Sequence, residues 1–324
     1  MSVGVTLPLG DLPLHRHRAA VVELADLGVR HLWAGEANGL DAIVPLAAAA
    51  AWEPRMHVGT SILPAFTRGP GVLATTAAAL AELAPGRTAI GIGASSPIVV
   101  RDWNAVEHTQ PYQRTADTVT FLRSALRGER VSASYDTFDV TGFRLDRPPA
   151  VPPSILVAAL RPRMLSLAAR CADGAITTWV APSHTAQVSG ELRSSAPAGA
   201  APRLVVWVTV APDTDPELVR HRARPLIASY LNVPAYAAFH RWLGNDELLE
   251  PVWREWAAGR RREALAAVSD DLVDQLIIHG SADHCMEQID AHLEAGATDV
   301  ALTVQPGTDD PMAALRRLAD VFDR

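Results

Sequence analysis

The sequence predicts an α/β fold, a TIM-type (β/α)8 barrel with insertions, and three observations support this. Short apolar runs alternate with amphipathic stretches along the 324 residues, as parallel strands alternate with helices. Eight of these runs have the character of strands, which is the number that closes such a barrel. Gly stands just before several strands, as in PGRTAIGIG and AGATDVALTV, where a repeated helix-cap-strand unit needs it.

The elements follow in order along the chain. Gly28 ends the first helix, Asp41 is a plausible N-cap of the second, and Pro85-Gly86 closes the third. The strands are predicted to begin at Val3, Val29, Met56, Thr88, Ile155, Ala175, Leu204 and Val300. The helices between them are predicted over 15–27, 41–52, 72–83, 115–126, 164–171, 284–293 and 312–322.

The residues beyond a minimal barrel fall in two insertions. A barrel of this type has about 250 residues, which leaves about 70 to place. Residues 130–143 alternate like a short hairpin, and residues 216–274 read as a helical insertion between the last two strands. The insertion carries Trp242, Trp253 and Trp256, which either pack within the protein or at a subunit interface, or form a substrate lid. The prolines at 148–153 fit a surface loop, so residues 1–324 are predicted to form one domain.

The composition excludes several kinds of chemistry. All 29 basic residues are arginine, so no lysine is present to form a Schiff base or to bind phosphate in a phosphate loop. The net charge of −7 and the dispersed arginines argue against a nucleic-acid partner. Two distant cysteines, Cys171 and Cys285, favour a reducing compartment and give no metal-ligand spacing. We therefore expect a cytoplasmic protein without a metal or a secretory leader, and its longest apolar run, 42–52, is too short to cross a membrane.

Function in a barrel of this type depends on the segments that follow the strands. These segments are 35–38, 59–64, 91–97, 158–162 and 177–179. The Ala159-Leu160-Arg161 turn precedes Pro162, a residue suited to a first helical position, so free N–H groups there would attract a phosphate. An ordinary turn with a surface arginine is the alternative. Gly91 and Gly93 resemble the start of a dinucleotide fingerprint whose third glycine is missing, and they fit close backbone approach to a flat ligand.

Two longer stretches carry a resemblance to a known family. They are GTSILPAFTRGPGVLATTAAALAELAPGRTAIGIGASSPIVVRDWN and ILVAALRPRMLSLAARCADGAITTW. The chain resembles the luciferase-like monooxygenase superfamily, in the branch of oxidoreductases that use the deazaflavin coenzyme F420. The resemblance covers residues 3–179 and again about 280–322.

The resemblance implies a cofactor site at the ends of three strands. It implies a non-proline cis peptide between Ser61 and Ile62, in a bulge that includes Thr60 and supports one face of the deazaflavin ring. The phosphate of the cofactor tail would lie on the Ala159-Leu160-Arg161 turn. The loop that lines the cofactor channel corresponds to Ser95, Ser96 and Asn104.

The chain departs from its relatives at the position that handles protons. Many relatives carry an acidic residue and then His after the second strand, whereas here Ala37 follows Glu36. Glu36 or Asn38 are the candidate catalytic residues, and substrate or water is the alternative proton source. Related sugar-phosphate dehydrogenases use lysines in the substrate phosphate pocket, so the absence of lysine disfavours a sugar-phosphate substrate here.

Three functions remain open from the sequence. The first is an F420-dependent oxidoreductase that passes hydride between the deazaflavin and a small organic substrate, acting as a homodimer. The second is an FMN-dependent monooxygenase of the same fold, supplied with reduced flavin by a separate reductase. The third is a catalytically silent cofactor-binding protein, which the missing His would explain. Binding of F420 against FMN separates the first two, and the absence of hydride exchange would identify the third.

Overall fold

The computed structural model describes residues 2–322 and contains a closed barrel of eight parallel strands. Counted along the described residues, the strands are β1 (Ser2–Leu7), β2 (His31–Ala34), β3 (His57–Pro64), β4 (Thr88–Gly93), β5 (Val131–Ser134), β6 (Asp139–Phe143), β7 (Ser154–Ala158), β8 (Gly174–Thr178), β9 (Arg203–Pro212), β10 (Ile277–Gly280) and β11 (Asp299–Val304). The barrel order is β1-β2-β3-β4-β7-β8-β9-β11, and β11 closes it by pairing with β1. All eight predicted strands are confirmed as barrel strands.

Helices surround the barrel and connect its strands. They are α1 (His17–Asp26), α2 (Ile43–Trp52), α3 (Pro70–Leu83), α4 (Pro111–Leu126), α5 (Pro162–Cys171), α6 (Pro182–Ser194), α7 (Pro216–Leu231), α8 (Pro234–Leu243), α9 (Asp246–Ala257), α10 (Arg261–Ala266), α11 (Asp270–Leu276), α12 (Ala282–Glu294) and α13 (Pro311–Arg317). Asp41 accepts hydrogen bonds from the N–H groups of Ile43 and Val44, both 2.9 Å, which confirms it as the cap of α2. No described helix between residues 2 and 322 has both the length and the apolar character to cross a membrane.

Two elements were not predicted from the sequence. Helix α6 is a full helix between β8 and β9, although its sequence PSHTAQVSGELRS contains few apolar residues. Strand β10 is an additional strand that pairs in parallel with the end of β9, at residues 209–212. Strands β5 and β6 form the predicted antiparallel hairpin.

A separate layer of apolar side chains fills the middle of the barrel. Trp33, only 1% exposed, packs there with the side chains of Ala89, Leu156, Ile176, Val205 and Ala301. The close packing depends on Gly59, because a Cβ atom there would lie 2.3 Å from the Trp33 ring. The Trp33 indole therefore lies against the neighbouring strands β1 and β3, and with its apolar neighbours it forms the layer between the two ends of the barrel interior.

The helical insertion spans 216–276, close to the predicted 216–274, and has its own core. Within it Trp253 is buried and its indole N–H donates to the carbonyl of Leu231 at 2.9 Å. Trp256 lies at the edge of that core, whereas Trp242 packs on the main core around the barrel. These contacts confirm packing within the protein as a role of the tryptophans.

Candidate active site

A bulge in β3 forms the centre of the candidate site, at the carboxyl end of the barrel. The Ser61–Ile62 peptide bond is cis, as predicted. The register between β3 and β4 shifts between Thr60 and Leu63. The fully buried Thr60 hydroxyl donates to the carbonyl of Gly91 at 3.0 Å and accepts from its N–H at 2.8 Å. Thr60 therefore replaces the strand partner that the bulge removes, and its hydroxyl holds the bulge in place.

The side chains above the apolar layer form the floor of the barrel mouth. Ile62 and Trp207 are partly buried and pack on that layer. Gly93 fits closely beneath them, because a Cβ atom there would lie 2.8 Å from that of Ala158 and 3.0 Å from Ile62. The sequence predicted that a flat ligand could approach the backbone closely at Gly93, and in the structure the group that lies against this glycine is Ile62 of the bulge. Within residues 2–322, the Ser61 hydroxyl and the Trp207 indole nitrogen are buried without a hydrogen-bond partner, so both can bind a ligand on this floor.

Glu36 lies beside the bulge and is held by Arg68. Its backbone N–H donates to the carbonyl of Ile62 at 3.1 Å. Both of its carboxylate oxygens accept from the Arg68 guanidinium, one from Nη2 and one from Nε at 3.2 Å. The two side chains are 15% and 21% exposed, so the pair is only partly screened by solvent. Proton exchange between Glu36 and a substrate would require this pair to open.

Asp41 completes the charged cluster, and Asn38 lies outside it. The Asp41 carboxylate accepts from Arg68 at 2.5 Å. Burial works to raise the pKa of Asp41, but the N–H of Val44 and the charge of Arg68 outweigh it, and the pKa is lowered. Asn38 is exposed, and among the described residues no contact fixes its side chain. The structure thus places Glu36 beside the bulge and leaves Asn38 at the surface.

The loop after β4 contains the three predicted channel residues. Ser95 adopts a positive φ of 58°, which is uncommon for a residue with a side chain. The Ser96 hydroxyl accepts from the N–H of Val99 at 3.3 Å, and the exposed Asn104 side chain donates to the Val99 carbonyl at 2.7 Å. Ser96 and Asn104 therefore shape the π-helical turn at 98–103.

His108 follows the same loop and was not predicted. Its Nε2 lies 3.1 Å from the carbonyl oxygen of Ala94, and its ring packs on Phe66 with centroids 4.8 Å apart. Phe66 follows β3, so this contact joins the ends of two neighbouring barrel strands.

The predicted phosphate turn lies before α5. Pro162 is the first residue of the helix, as predicted, and Arg161 is its N-cap. Ala159 is fully buried and its N–H donates to the carbonyl of Ile176 at 2.9 Å, so Ala159 shapes the turn and its own donor is engaged. Arg161 is exposed, and its guanidinium has no ion pair within residues 2–322. Leu160 and Arg161 remain suited to anion binding.

The sequence profile of the luciferase-like monooxygenase family matches residues 2–299. The chain belongs to this family. The match covers most of the described residues, 2–322. The closed parallel barrel and the Ser61–Ile62 cis peptide bond, both expected from the resemblance, agree with this membership.

Individual luciferase-like proteins resemble the chain along most of its length. A Mycobacterium tuberculosis protein named as a coenzyme F420-dependent oxidoreductase is 26% identical, over 94% of this chain and 95% of its own length. The structure of the coenzyme F420-dependent tetrahydromethanopterin reductase from Methanopyrus kandleri matches with a TM-score of 0.80 at 18% identity, over 98% and 97% of the two chains. An F420-dependent secondary alcohol dehydrogenase, in complex with an F420–acetone adduct, matches with a TM-score of 0.81 at 16% identity, over 100% and 99%. The two structures support the fold.

In this luciferase-like protein the insertion reaches the barrel rim through aromatic side chains. Trp179 follows β8 with a positive φ of 59°, and its ring packs on Tyr230 with centroids 5.3 Å apart. The rings of Tyr230 and Tyr236 also pack together, with centroids 6.0 Å apart. Burial, and to a lesser degree Tyr230, raises the pKa of Tyr236, so its phenol is protonated at neutral pH. The rim is thus aromatic at these positions, and the Tyr236 phenol carries no charge.

Sequence reasoning missed Arg68 and the two tyrosines. Arg68 binds Glu36 in the folded protein, but the two residues are 32 positions apart in the sequence, so no local pattern reveals their contact. Trp179, in contrast, stands directly after a predicted strand, which is the signal that placed it among the candidate segments. Among the described residues, no group of three or more His, Cys, Asp or Glu side chains is arranged to hold a metal ion.

Proposed function

We propose that the protein is an F420-dependent oxidoreductase that transfers a hydride between the deazaflavin and a small organic substrate. The observation that carries the proposal is the floor of the barrel mouth, which contains the β3 bulge and two buried polar atoms, the Ser61 hydroxyl and the Trp207 indole nitrogen, that have no hydrogen-bond partner among residues 2–322. The end-to-end likeness to a relative named as F420-dependent supports the choice of cofactor. When bound, the deazaflavin supplies the ring carbon that gives or takes the hydride.

The residues around the mouth fit the shape and polarity of such a cofactor. Ile62 in the bulge would support one face of a flat ring, and the Ser61 hydroxyl and Trp207 indole N–H would bind polar groups at its edge. The α5 turn would bind the phosphate of the tail through the N–H groups of Leu160 and Arg161 and the Arg161 guanidinium. In this arrangement Thr60 and Ala159 contribute by fixing the bulge and the turn.

The channel between ring and tail would be lined by the loop after β4. Ser95, Ser96 and Asn104 lie on this loop, and the hydrogen bonds of the last two hold its π-helical turn. The loop follows β4, and β4 pairs with β3, the strand that contains the bulge. The polar groups of the loop would therefore lie next to the bulge.

Proton handling is assigned to Glu36, with Asn38 as a second group. Glu36 is the only one of the two that lies in contact with the bulge, through its N–H to Ile62. Arg68 orients its carboxylate, and opening of that pair would release an oxygen for proton transfer.

The substrate class follows from the rim. Trp179, Tyr230 and Tyr236 offer aromatic surface, and the Tyr236 phenol is neutral, which suits a small organic molecule of low charge. With no lysine in the chain, a sugar phosphate remains disfavoured. We infer that residues 1–324 work as one luciferase-like domain, paired as a homodimer in the cytoplasm.

Titration of the full-length protein with F420 and with FMN tests the proposal. We expect F420 to bind more tightly, and we expect R161Q to weaken that binding about ten-fold, as loss of one charged contact to a phosphate does. R144Q is the matched control, because Arg144 is also exposed but lies on another surface, where it donates to the Gly128 carbonyl. Tight FMN binding without F420 binding would overturn the proposal in favour of the two-component monooxygenase. F420 binding without hydride exchange would indicate the silent cofactor-binding protein.

A further inference from the structure

A cavity lined by both polar and apolar residues lies at the opposite end of the barrel, where the strands begin. Its volume is about 220 Å³, and its wall includes His31, His57, Arg87, Ser154 and Arg203. These residues come from the first positions of β2, β3, β7 and β9 and from the turn before β4. Drug-sized ligands need about 300–1,000 Å³, so this cavity suits a smaller molecule.

Two guanidinium groups supply hydrogen-bond donors to the cavity. Arg203 uses Nε and Nη2 to bind Asp299, at 3.2 and 3.0 Å, and Arg87 uses Nη1 to bind the carbonyl of Met56. Within the described chain, Nη1 of Arg203 and Nε and Nη2 of Arg87 have no such partner. The Asp299 carboxylate also accepts from the Ser2 hydroxyl at 2.6 Å, so its charge is already well compensated.

The histidines of the cavity are partly or largely buried and lie near charges of both signs. The rings of His31 and His57 are 4.8 Å apart, and His31 Nδ1 is buried with no hydrogen-bond partner within residues 2–322. Burial lowers the pKa of His31 to about 4, and Asp299 opposes this while Arg203 and His57 add to it. Burial, Arg87 and Arg203 likewise lower the pKa of His57. Both rings are therefore uncharged at neutral pH, and the positive charge that would balance a bound anion comes from Arg87 and Arg203.

We propose that this cavity is a binding site for a small oxyanion, a phosphate or a short carboxylate. Arg87 and Arg203 donate to its oxygens, the rings of His31 and His57 and the Ser154 hydroxyl add further polar surface, and apolar side chains line the rest of the wall. Ordinary hydration of a polar cavity is the competing explanation, since waters also satisfy buried polar atoms. The site is distinct from the barrel mouth, from which the Trp33 layer separates it.

Calorimetric titration of the full-length chain with inorganic phosphate, and separately with acetate, in a phosphate-free buffer tests the site. We expect saturable binding of one of the two anions and about ten-fold weaker binding in R87Q. R144Q is the matched control, because Arg144, like Arg87, donates to a single backbone carbonyl. H57Q is the second variant, should R87Q fail to fold, and we expect it to weaken binding as well.

The location of the anion is read from histidine ring signals in NMR spectra. The His57 ring signals, assigned by their absence in H57Q, are expected to shift with the same saturation curve, while those of His15, which does not line the cavity, stay in place. Equal binding by R87Q and R144Q, or no saturable binding of either anion, would overturn the proposal and leave a hydrated cavity. Neither result bears on F420 binding, because the titrations contain no cofactor and probe the other end of the barrel.

Discussion

Replacing Thr60 with valine tests whether a single hydroxyl supports the bulge. Valine has nearly the same shape but removes both hydrogen bonds to Gly91, leaving a buried N–H and a buried carbonyl without their partner. Each such group costs about 1–3 kcal/mol, so we expect T60V to lose about 2–6 kcal/mol of unfolding free energy. The measurement is the urea midpoint, together with the affinity for F420, which we expect to fall because the bulge loses its support.

Two control variants make the Thr60 result interpretable. T60S keeps the hydroxyl and should retain most of the stability. T120V makes the same chemical change on an exposed helix surface, where Thr120 donates to the Ala116 carbonyl, and should stay within about 0.5 kcal/mol of the parent. If T60V were as stable as T120V, the hydroxyl would not be what supports the bulge, and the reasoning would be refuted.

Three further predictions concern catalysis, pH and assembly. If Glu36 handles a proton, E36Q should lower the rate of hydride transfer about 100-fold, whereas N38A at the exposed site should lower it less; an unchanged rate in E36Q would remove Glu36 from the mechanism. Burial lowers the pKa of His31, His240 and His292 to about 4 in the folded protein. In the unfolded chain these histidines have the ordinary pKa of about 6.5, so below that pH the unfolded chain binds more protons than the folded protein does. Stability should therefore be full above that pH and fall between pH 6.5 and 4, and a urea midpoint that is equal at pH 7 and pH 5 would contradict this. Light scattering should give the mass of two chains, and a mass near the 34.6 kDa of one chain would exclude the homodimer.

The strands could be predicted because each is a short apolar run whose residues are almost all buried. Val205, Ala301 and their neighbours face the apolar layer inside the barrel or the helices outside, so neither face needs polar residues. Helix starts were less accurate. Helices α3, α4, α5 and α13 begin at prolines one to four residues before the predicted start, because proline lacks an N–H but fits the first turn.

The site was predictable where it depends on the backbone. The cis bond at Ser61–Ile62 lies within a single segment of sequence and agrees with expectation, and α5 begins at Pro162, the proline that the sequence marked as suited to a first helical position. The contacts of Glu36 with Arg68 and of Trp179 with Tyr230 join distant segments, so they became visible only after folding. Helix α6 has too few apolar residues for its periodicity to be recognised.

The Trp33 layer has a consequence for how the protein can change by mutation. Trp33 and its apolar neighbours fill the barrel axis, and polar residues lie at either end. Substitutions more than about 7–10 Å apart that share no partner have nearly additive effects. A double variant such as R161Q/R87Q should therefore lose the sum of the unfolding free energies that its two single variants lose, because Arg161 follows the carboxyl end of β7 whereas Arg87 precedes the first residue of β4. Substitutions could then change which ligand binds at one end of the barrel without changing binding at the other end, provided Trp33 and Gly59 are kept.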